Sequence, residues 1–218
     1  MREQSPLLLL WIPPDTIMFE LPQDVTLTLY PPGTEVRARL MRLTREVAAD
    51  RIDGQWWNTG GSKTARESEG DHHWRWRRIV GKLRTKATSE ALAVETDDGA
   101  IQGAIVYHID AFSRLEPNKG AIYGEWLATA PRNRFWLVKP PHLRGVGKEL
   151  LLAAIRHSYS LGLGGRFWLK SLPSERTQEF YVKRGFEEVV FENLDGTIDY
   201  ELPSARAVAW LEEEGYLS

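Results

Sequence analysis

Two glycines, Gly145 and Gly147, are separated by a single residue in the run His142-Leu143-Arg144-Gly145-Val146-Gly147-Lys148, just ahead of a long apolar-periodic stretch. Glycines at this spacing remove side chains where backbone N–H groups must approach a ligand. The helix that follows adds its positive end, and together these describe a phosphate cradle. Arg144 and Lys148 are further cations able to pair with phosphate. Two related motifs are excluded. A Walker loop needs Gly at position 142 and Ser or Thr at 149, which are His142 and Glu149. A dinucleotide fingerprint needs a third glycine at position 150, which is Leu150. Taken alone, the loop is equally compatible with a glycine-rich helix entry that binds nothing.

Further along stands Phe180-Tyr181-Val182-Lys183-Arg184-Gly185-Phe186. A phenol such as Tyr181 is a competent general acid, and a tyrosine packed in the core is the alternative. Glu125 interrupts an otherwise apolar segment, residues 121–129 (AIYGEWLAT). A carboxylate there calls for a partner or a task, and a neighbouring Arg is as good an explanation as proton transfer. The chain has no cysteine, so a thiolate nucleophile, a disulfide and cysteine-ligated zinc are excluded. His72 and His73 are adjacent rather than a helical turn apart, and no His/carboxylate cluster has metal-ligand spacing.

The elements that must carry these residues are legible as patterns. Residues 24–30 alternate as a strand, and residues 35–50 read as a helix from Val36, Leu40, Leu43 and Val47, with Thr34 as N-cap. Residues 51–71 read as a loop interrupted by Trp56 and Trp57. A basic helix follows over 72–86, with Trp76, Ile79, Val80 and Leu83 as its apolar side. Segments 91–95, 101–109 and 121–129 form an antiparallel meander. An amphipathic helix then runs from the glycine loop to about residue 161, where Gly162, Gly164 and Gly165 end it. Residues 166–170 are a strand, and 174–184 a short helix ending at Gly185. Two last strands, 186–191 and 197–202, join around Asp195-Gly196, and Ser204 caps a helix over 205–214. The expected organisation is a single domain over 1–218: an N-terminal extension (1–23), a core (about 24–202) and a C-terminal helix (203–218).

In this setting the two motifs resemble those of the GNAT superfamily of N-acetyltransferases. That family carries Gln/Arg-x-x-Gly-x-Gly/Ala at the start of its third helix and Tyr-x-x-x-Gly-Phe at the end of its fourth. The resemblance covers about residues 91–202, and residues 24–88 are expected to supply the first strand and first two helices. The implied fold class is α/β, a mixed and mostly antiparallel central sheet flanked by helices. The implied activity is direct transfer of an acetyl or other acyl group from acyl-CoA, as co-substrate, to an amine, with no metal. The resemblance places the pyrophosphate on His142, Leu143, Arg144, Gly145, Val146, Gly147 and Lys148. It places the pantetheine arm on Leu127, Ala128 and Thr129, where the strand splays from its neighbour. Tyr181 then protonates the departing sulfur and Glu125 is the base candidate. Three departures stand out. His142 replaces Gln or Arg, and Ser174 stands where Asn is frequent and a cofactor contact is expected. About eight extra residues, including Arg132, Arg134, Phe135 and Trp136, precede the loop and are expected near the cofactor mouth.

The net charge of −2 gives no global reason to expect nucleic acid. The apolar run at residues 7–12, stopped by Pro13 and Pro14, is too short for a membrane span or a signal-peptide core and reads as a strand or packed extension. The expected location is the cytoplasm. The acceptor is a small-molecule, peptide or protein amine, and the oligomeric state is open, a homodimer included. Two rival readings are a GNAT fold that binds acyl-CoA with little turnover and an acyltransferase that docks nucleic acid on the basic helix 72–86.

Overall fold

A computed structural model describes residues 19–58, 62–83, 87–190, 193–194 and 196–217. The apolar run at 7–12 lies outside these, as do Arg84, Lys86, Phe191 and Asp195. The described residues form one nine-stranded sheet of order β6-β1-β2-β3-β4-β5-β7-β9-β8. The strands are β1 (Gln23–Tyr30), β2 (Thr34–Arg42), β3 (Ser89–Thr96), β4 (Ile101–Phe112), β5 (Gly120–Thr129), β6 (His142–Arg144), β7 (Phe167–Ser171), β8 (Glu187–Val189) and β9 (Ile198–Leu202). Every pairing is antiparallel except β5 with β7. Six helices accompany them: α1 (Arg45–Val47), α2 (Lys63–Glu67), α3 (Trp76–Leu83), α4 (Val146–Ser160), α5 (Glu175–Val182) and α6 (Ser204–Glu213). The expected mixed, mostly antiparallel sheet flanked by helices is what the structure shows.

The largest departure is at the N-terminal side. The helix expected over 35–50 is mostly strand β2. Val36, Leu40 and Leu43 fit a helical stripe, but Val36, Ala38 and Leu40 also alternate with Arg37 and Arg39. Tertiary pairing decides between the two periods. A tight turn at Pro31-Pro32-Gly33, with Gly33 at φ 100°, folds β2 back on β1, and β3 covers the other edge. Thr34 opens the strand, and Thr44 is the residue that caps, its Oγ1 accepting from the Val47 N–H at 3.2 Å. Helix α1 widens into a π-helical segment, Ala48–Asp53, and the Asp53 carboxylate accepts from the N–H groups of Trp76 and Arg77 at the start of α3.

The sheet carries a core on each face. On one, α4 packs against β3, β4, β5 and β7, with Leu150, Leu151 and Ile155 buried among Ile105, Tyr107, Ile122 and Phe167. Gly103 makes this approach possible, because a Cβ there would collide with Val146. On the other face lie α1, its π-helical continuation and α3. Trp56, read as a loop residue, is fully buried there, its indole N–H donating to the Ile101 carbonyl at 2.9 Å. Trp76 and Val80 are buried in the same core, while Arg75, Arg77, Arg78 and Lys82 are exposed. The last helix begins at Ser204 itself rather than after it. The Ser204 hydroxyl donates to the Gly164 carbonyl, so it is spent on the α4–β7 connection and does not cap α6.

Candidate active site

Strands β5 and β7 pair over only three positions, Ile122 with Phe167, Tyr123 with Trp168 and Gly124 with Leu169. Both strands continue past that point without further pairing to each other, so the sheet opens into a V. The two sides of the V are Leu127, Ala128 and Thr129 on β5 and Leu172, Pro173 and Ser174 leading into α5. A cavity of about 730 Å³ fills the opening and reaches the start of α4. On this side β5 has no neighbouring strand beyond Gly124, the arrangement needed to admit an amide-bearing chain.

The glycine turn closes one end of the cavity. His142, Leu143 and Arg144, expected as loop, form the short edge strand β6, paired with Tyr30, Leu29 and Thr28. Gly145 follows at φ 95°, a left-handed conformation that a side chain resists, and it turns the chain directly into α4. At Gly147 an added Cβ would stand 3.1 Å from Phe180 Cζ on α5, so the first turn of α4 presents bare backbone to the cavity. His142 lines the same space, is 5% exposed, and among the described residues has no hydrogen-bond partner at either ring nitrogen. Buried polar atoms without partners are costly, and a ligand in the cavity would satisfy them. Arg144 lies over the Tyr30 ring at 3.4 Å and lines the cavity. Lys148 does not: its ammonium bonds Glu214 on α6 at 2.7 Å. Ser174 precedes α5, makes no capping hydrogen bond and borders the cavity.

Tyr181 lies on α5 at the wall of the cavity, packed against Phe180, Phe186 and Tyr200. It is 5% exposed, and burial holds its phenol well above the ordinary tyrosine range, so it stays protonated at any working pH. Arg184, one turn on, stacks on Phe180 at 3.7 Å and donates to the Phe180 carbonyl at 2.7 Å. Its charge also borders the cavity and is destabilised by burial, which lowers its pKa. That is the state of a cation that gains from an arriving anion.

The segment preceding β6 forms the rim. Arg134 donates twice to the Thr129 carbonyl and forms a two-point pair with Asp71, while also reaching Glu69. Burial works against its charge, but hydrogen bonds and Coulomb attraction from Asp71 and then Glu69 outweigh that and raise its pKa. Phe135 and Trp136 reach across to α5, where Arg176 stacks on Trp136 at 4.0 Å. Arg132 turns away and bonds the Ile101 carbonyl and Gln102, because the single turn of 3-10 helix at Pro131–Asn133 points it back along β4.

Glu125 is not in this cavity. The β4–β5 register steps from Val106–Trp126 to Tyr107–Gly124, leaving Glu125 as the extra residue of a β-bulge. The alternation that would put it beside Leu127 is broken there. Its side chain lines a separate cavity with Thr88, His108, Asp110 and Tyr123. There Glu125 Oε2 lies 2.7 Å from His108 Nε2, and His108 Nδ1 lies 2.7 Å from Ser89 Oγ. The bulge immediately follows Gly124, the last β5 residue paired with β7, so Glu125 stands at the vertex of the V. Sequence reasoning missed His108, Asp71 and Arg176, since nothing local marks residues whose partners arrive from distant segments. Among the described residues no group of three or more His, Asp or Glu is arranged to hold a metal ion. None of the described helices is long and apolar enough to cross a membrane.

The sequence profile of the Acetyltransferase (GNAT) family matches residues 55–186, more than half of the chain, and the chain belongs to that family. That family is one of acetyltransferases. Among solved structures, it resembles an acetyltransferase from Thermus thermophilus, at TM-score 0.53 and 15% identity over 76% of this chain and 96% of that one. It resembles a GNAT-family acetyltransferase from Listeria monocytogenes at TM-score 0.52 and 16% identity, over 83% and 99% of the two chains. It also resembles a mutant of the toxin AtaT bound to the C-terminus of the antitoxin AtaR and acetyl-CoA, at TM-score 0.55 and 17% identity, over 80% and 98%. No curated protein sequence matches the chain.

Proposed function

We propose that the protein is an N-acyltransferase that moves an acetyl or related acyl group from acyl-CoA directly to an amine. The observation that supports this most is the V between β5 and β7, with bare helix backbone at one end and Tyr181 on its wall. The residues fit an acyl-CoA. The orphaned His142 nitrogens, the α4 first turn and Arg144 suit its pyrophosphate, Arg176 and Arg184 suit further phosphate charge, and the β5 edge at Leu127, Ala128 and Thr129, which no strand covers on the cavity side, suits its amide-bearing arm.

Bound there, acyl-CoA supplies a thioester carbonyl open to attack by an amine. The protein's own groups then have three tasks. The β5 edge orients the carbonyl and offers donors to the charge that develops on its oxygen. Tyr181, kept protonated by burial, donates its proton to the departing sulfur. Glu125, at the vertex, receives the proton that the attacking amine gives up. With no cysteine in the chain, a cysteinyl acyl-enzyme is not available.

The test is amine-dependent thiol release from acetyl-CoA and longer acyl-CoA esters across a panel of small amines, amino acids and peptides. Turnover with at least one amine supports the reading. Tight acyl-CoA binding with no thiol release over the whole panel would make the protein a binding module instead.

A further inference from the structure

His108 and Glu125 line the second cavity and Ser89 lies just behind them, a chain of three side chains of which only Glu125 has a role above. His108 faces Ser89 across the β3–β4 ladder and Glu125 across the β4–β5 ladder, each at 2.7 Å and each through a different ring nitrogen. Tyr123 stacks beside the imidazole, with ring planes 24° apart. Glu125, by contrast, sits on a bulge and its side chain is 38% exposed. A carboxylate in that position has rotamer freedom that must be removed before it can accept a proton from one direction.

We propose that His108 is a positioning residue for Glu125, with Ser89 choosing the tautomer. The Ser89 hydroxyl donates to Nδ1, which leaves the ring proton on Nε2. Nε2–H then donates to Glu125 Oε2, and Oε1 remains to receive the proton of the amine. Neutral imidazole holds the carboxylate in place and leaves it a base. The other ionisable groups bordering this cavity are Asp110, from the same strand as His108, and Tyr123 from β5. The proposal rests on the acyltransferase reading for its kinetic consequence, but its structural half can be read without turnover.

The first measurement is the imidazole nitrogen spectrum of the uniformly 15N-labelled protein without ligand. His108 should show a protonated Nε2 and an acceptor Nδ1, and Ser89→Ala should mix the tautomers. A proton on Nδ1 in the wild type overturns the proposal whatever the activity. The second is kinetic, on the wild type, His108→Gln and His108→Ala. Gln keeps a donor for Oε2, so it should hold kcat within about threefold. Ala should lower kcat about 10–100-fold with an unchanged acyl-CoA dissociation constant, which also reports an intact fold. Native kcat in His108→Ala would reject the role while leaving the acyltransferase reading intact. A wild type that binds acyl-CoA and acylates no amine rejects that reading, and the nitrogen spectrum still decides the tautomer.

Discussion

Arg134 and Asp71 form a buried two-point ion pair, with Nη1 donating to Oδ1 at 2.7 Å, and it joins the far end of β5 to the turn before α3. The same guanidinium holds the Thr129 carbonyl, so the last residue of the splayed strand is fixed from the loop side rather than by a neighbouring strand. Removing one partner of a buried pair leaves an uncompensated charge. Asp71→Ala is expected to cost about 3–5 kcal/mol, nearer the lower figure because Glu69 also reaches Arg134. Urea unfolding of the two proteins measures this. A loss below about 1 kcal/mol, the range of an exposed pair, would mean that Glu69 alone satisfies the guanidinium.

Gly147→Val should abolish acyl-CoA binding without unfolding the protein. The side chain would fill the space between the first turn of α4 and Phe180, where even a Cβ is tight. Calorimetry on a variant with native circular dichroism decides the point, and unchanged affinity would remove residues 142–148 as the phosphate site.

His142→Ala should weaken acyl-CoA binding about tenfold, or about 1.4 kcal/mol, by deleting the two unpartnered nitrogens in the cavity. The free protein should lose little stability, since no internal hydrogen bond is lost. The reverse result, lower stability with native affinity, would assign His142 to packing against Tyr30 and Phe135.

Tyr181→Phe keeps the ring and its contacts and removes only the hydroxyl. Turnover is expected to fall roughly 10²–10⁴-fold with little change in the acyl-CoA dissociation constant, because the missing interaction matters chiefly in the transition state. Near-native kcat would leave water or a backbone donor to protonate the sulfur.

The stability of the protein should decline in mild acid. His157 on α4 meets the Tyr107 hydroxyl at 2.9 Å and stacks on Phe19. Burial first, and then the charge of Arg42, lowers its pKa in the fold. The unfolded imidazole takes its proton near pH 6.5, before the folded one does. This contribution is therefore complete above about pH 6.5 and is lost as pH falls toward the folded pKa. Denaturation midpoints of the wild type and His157→Gln between pH 8 and 5 should converge or cross as the pH drops. Parallel curves would exclude His157 as the source.

Much of the site was readable before any fold was known. The Gly145/Gly147 spacing and the Tyr181 block are local signals, and the structure brings both to one cavity. Strands β4 and β5, helix α4 and the exposed cations of α3 also follow from periodicity. Where periodicity was ambiguous, the reading failed. Val36, Ala38 and Leu40 satisfy both the helical and the extended pattern, and only β1 and β3 on either side make them a strand.

What the sequence determined by itself is the chemistry available: the glycines, a tyrosine held in a short motif, an isolated carboxylate and the absence of thiols. These depend on residue type and on spacing within a single element, which the chain carries locally. The tertiary structure alone decided which of those groups meet. A one-residue bulge between Val106 and Tyr107 turned Glu125 off the Leu127 face and onto His108. Lys148 turned to Glu214, and Arg134 found Asp71 from a distant loop. Such pairings join residues far apart in sequence, and their free energy depends on burial and on cross-strand register, neither of which exists until the sheet has closed.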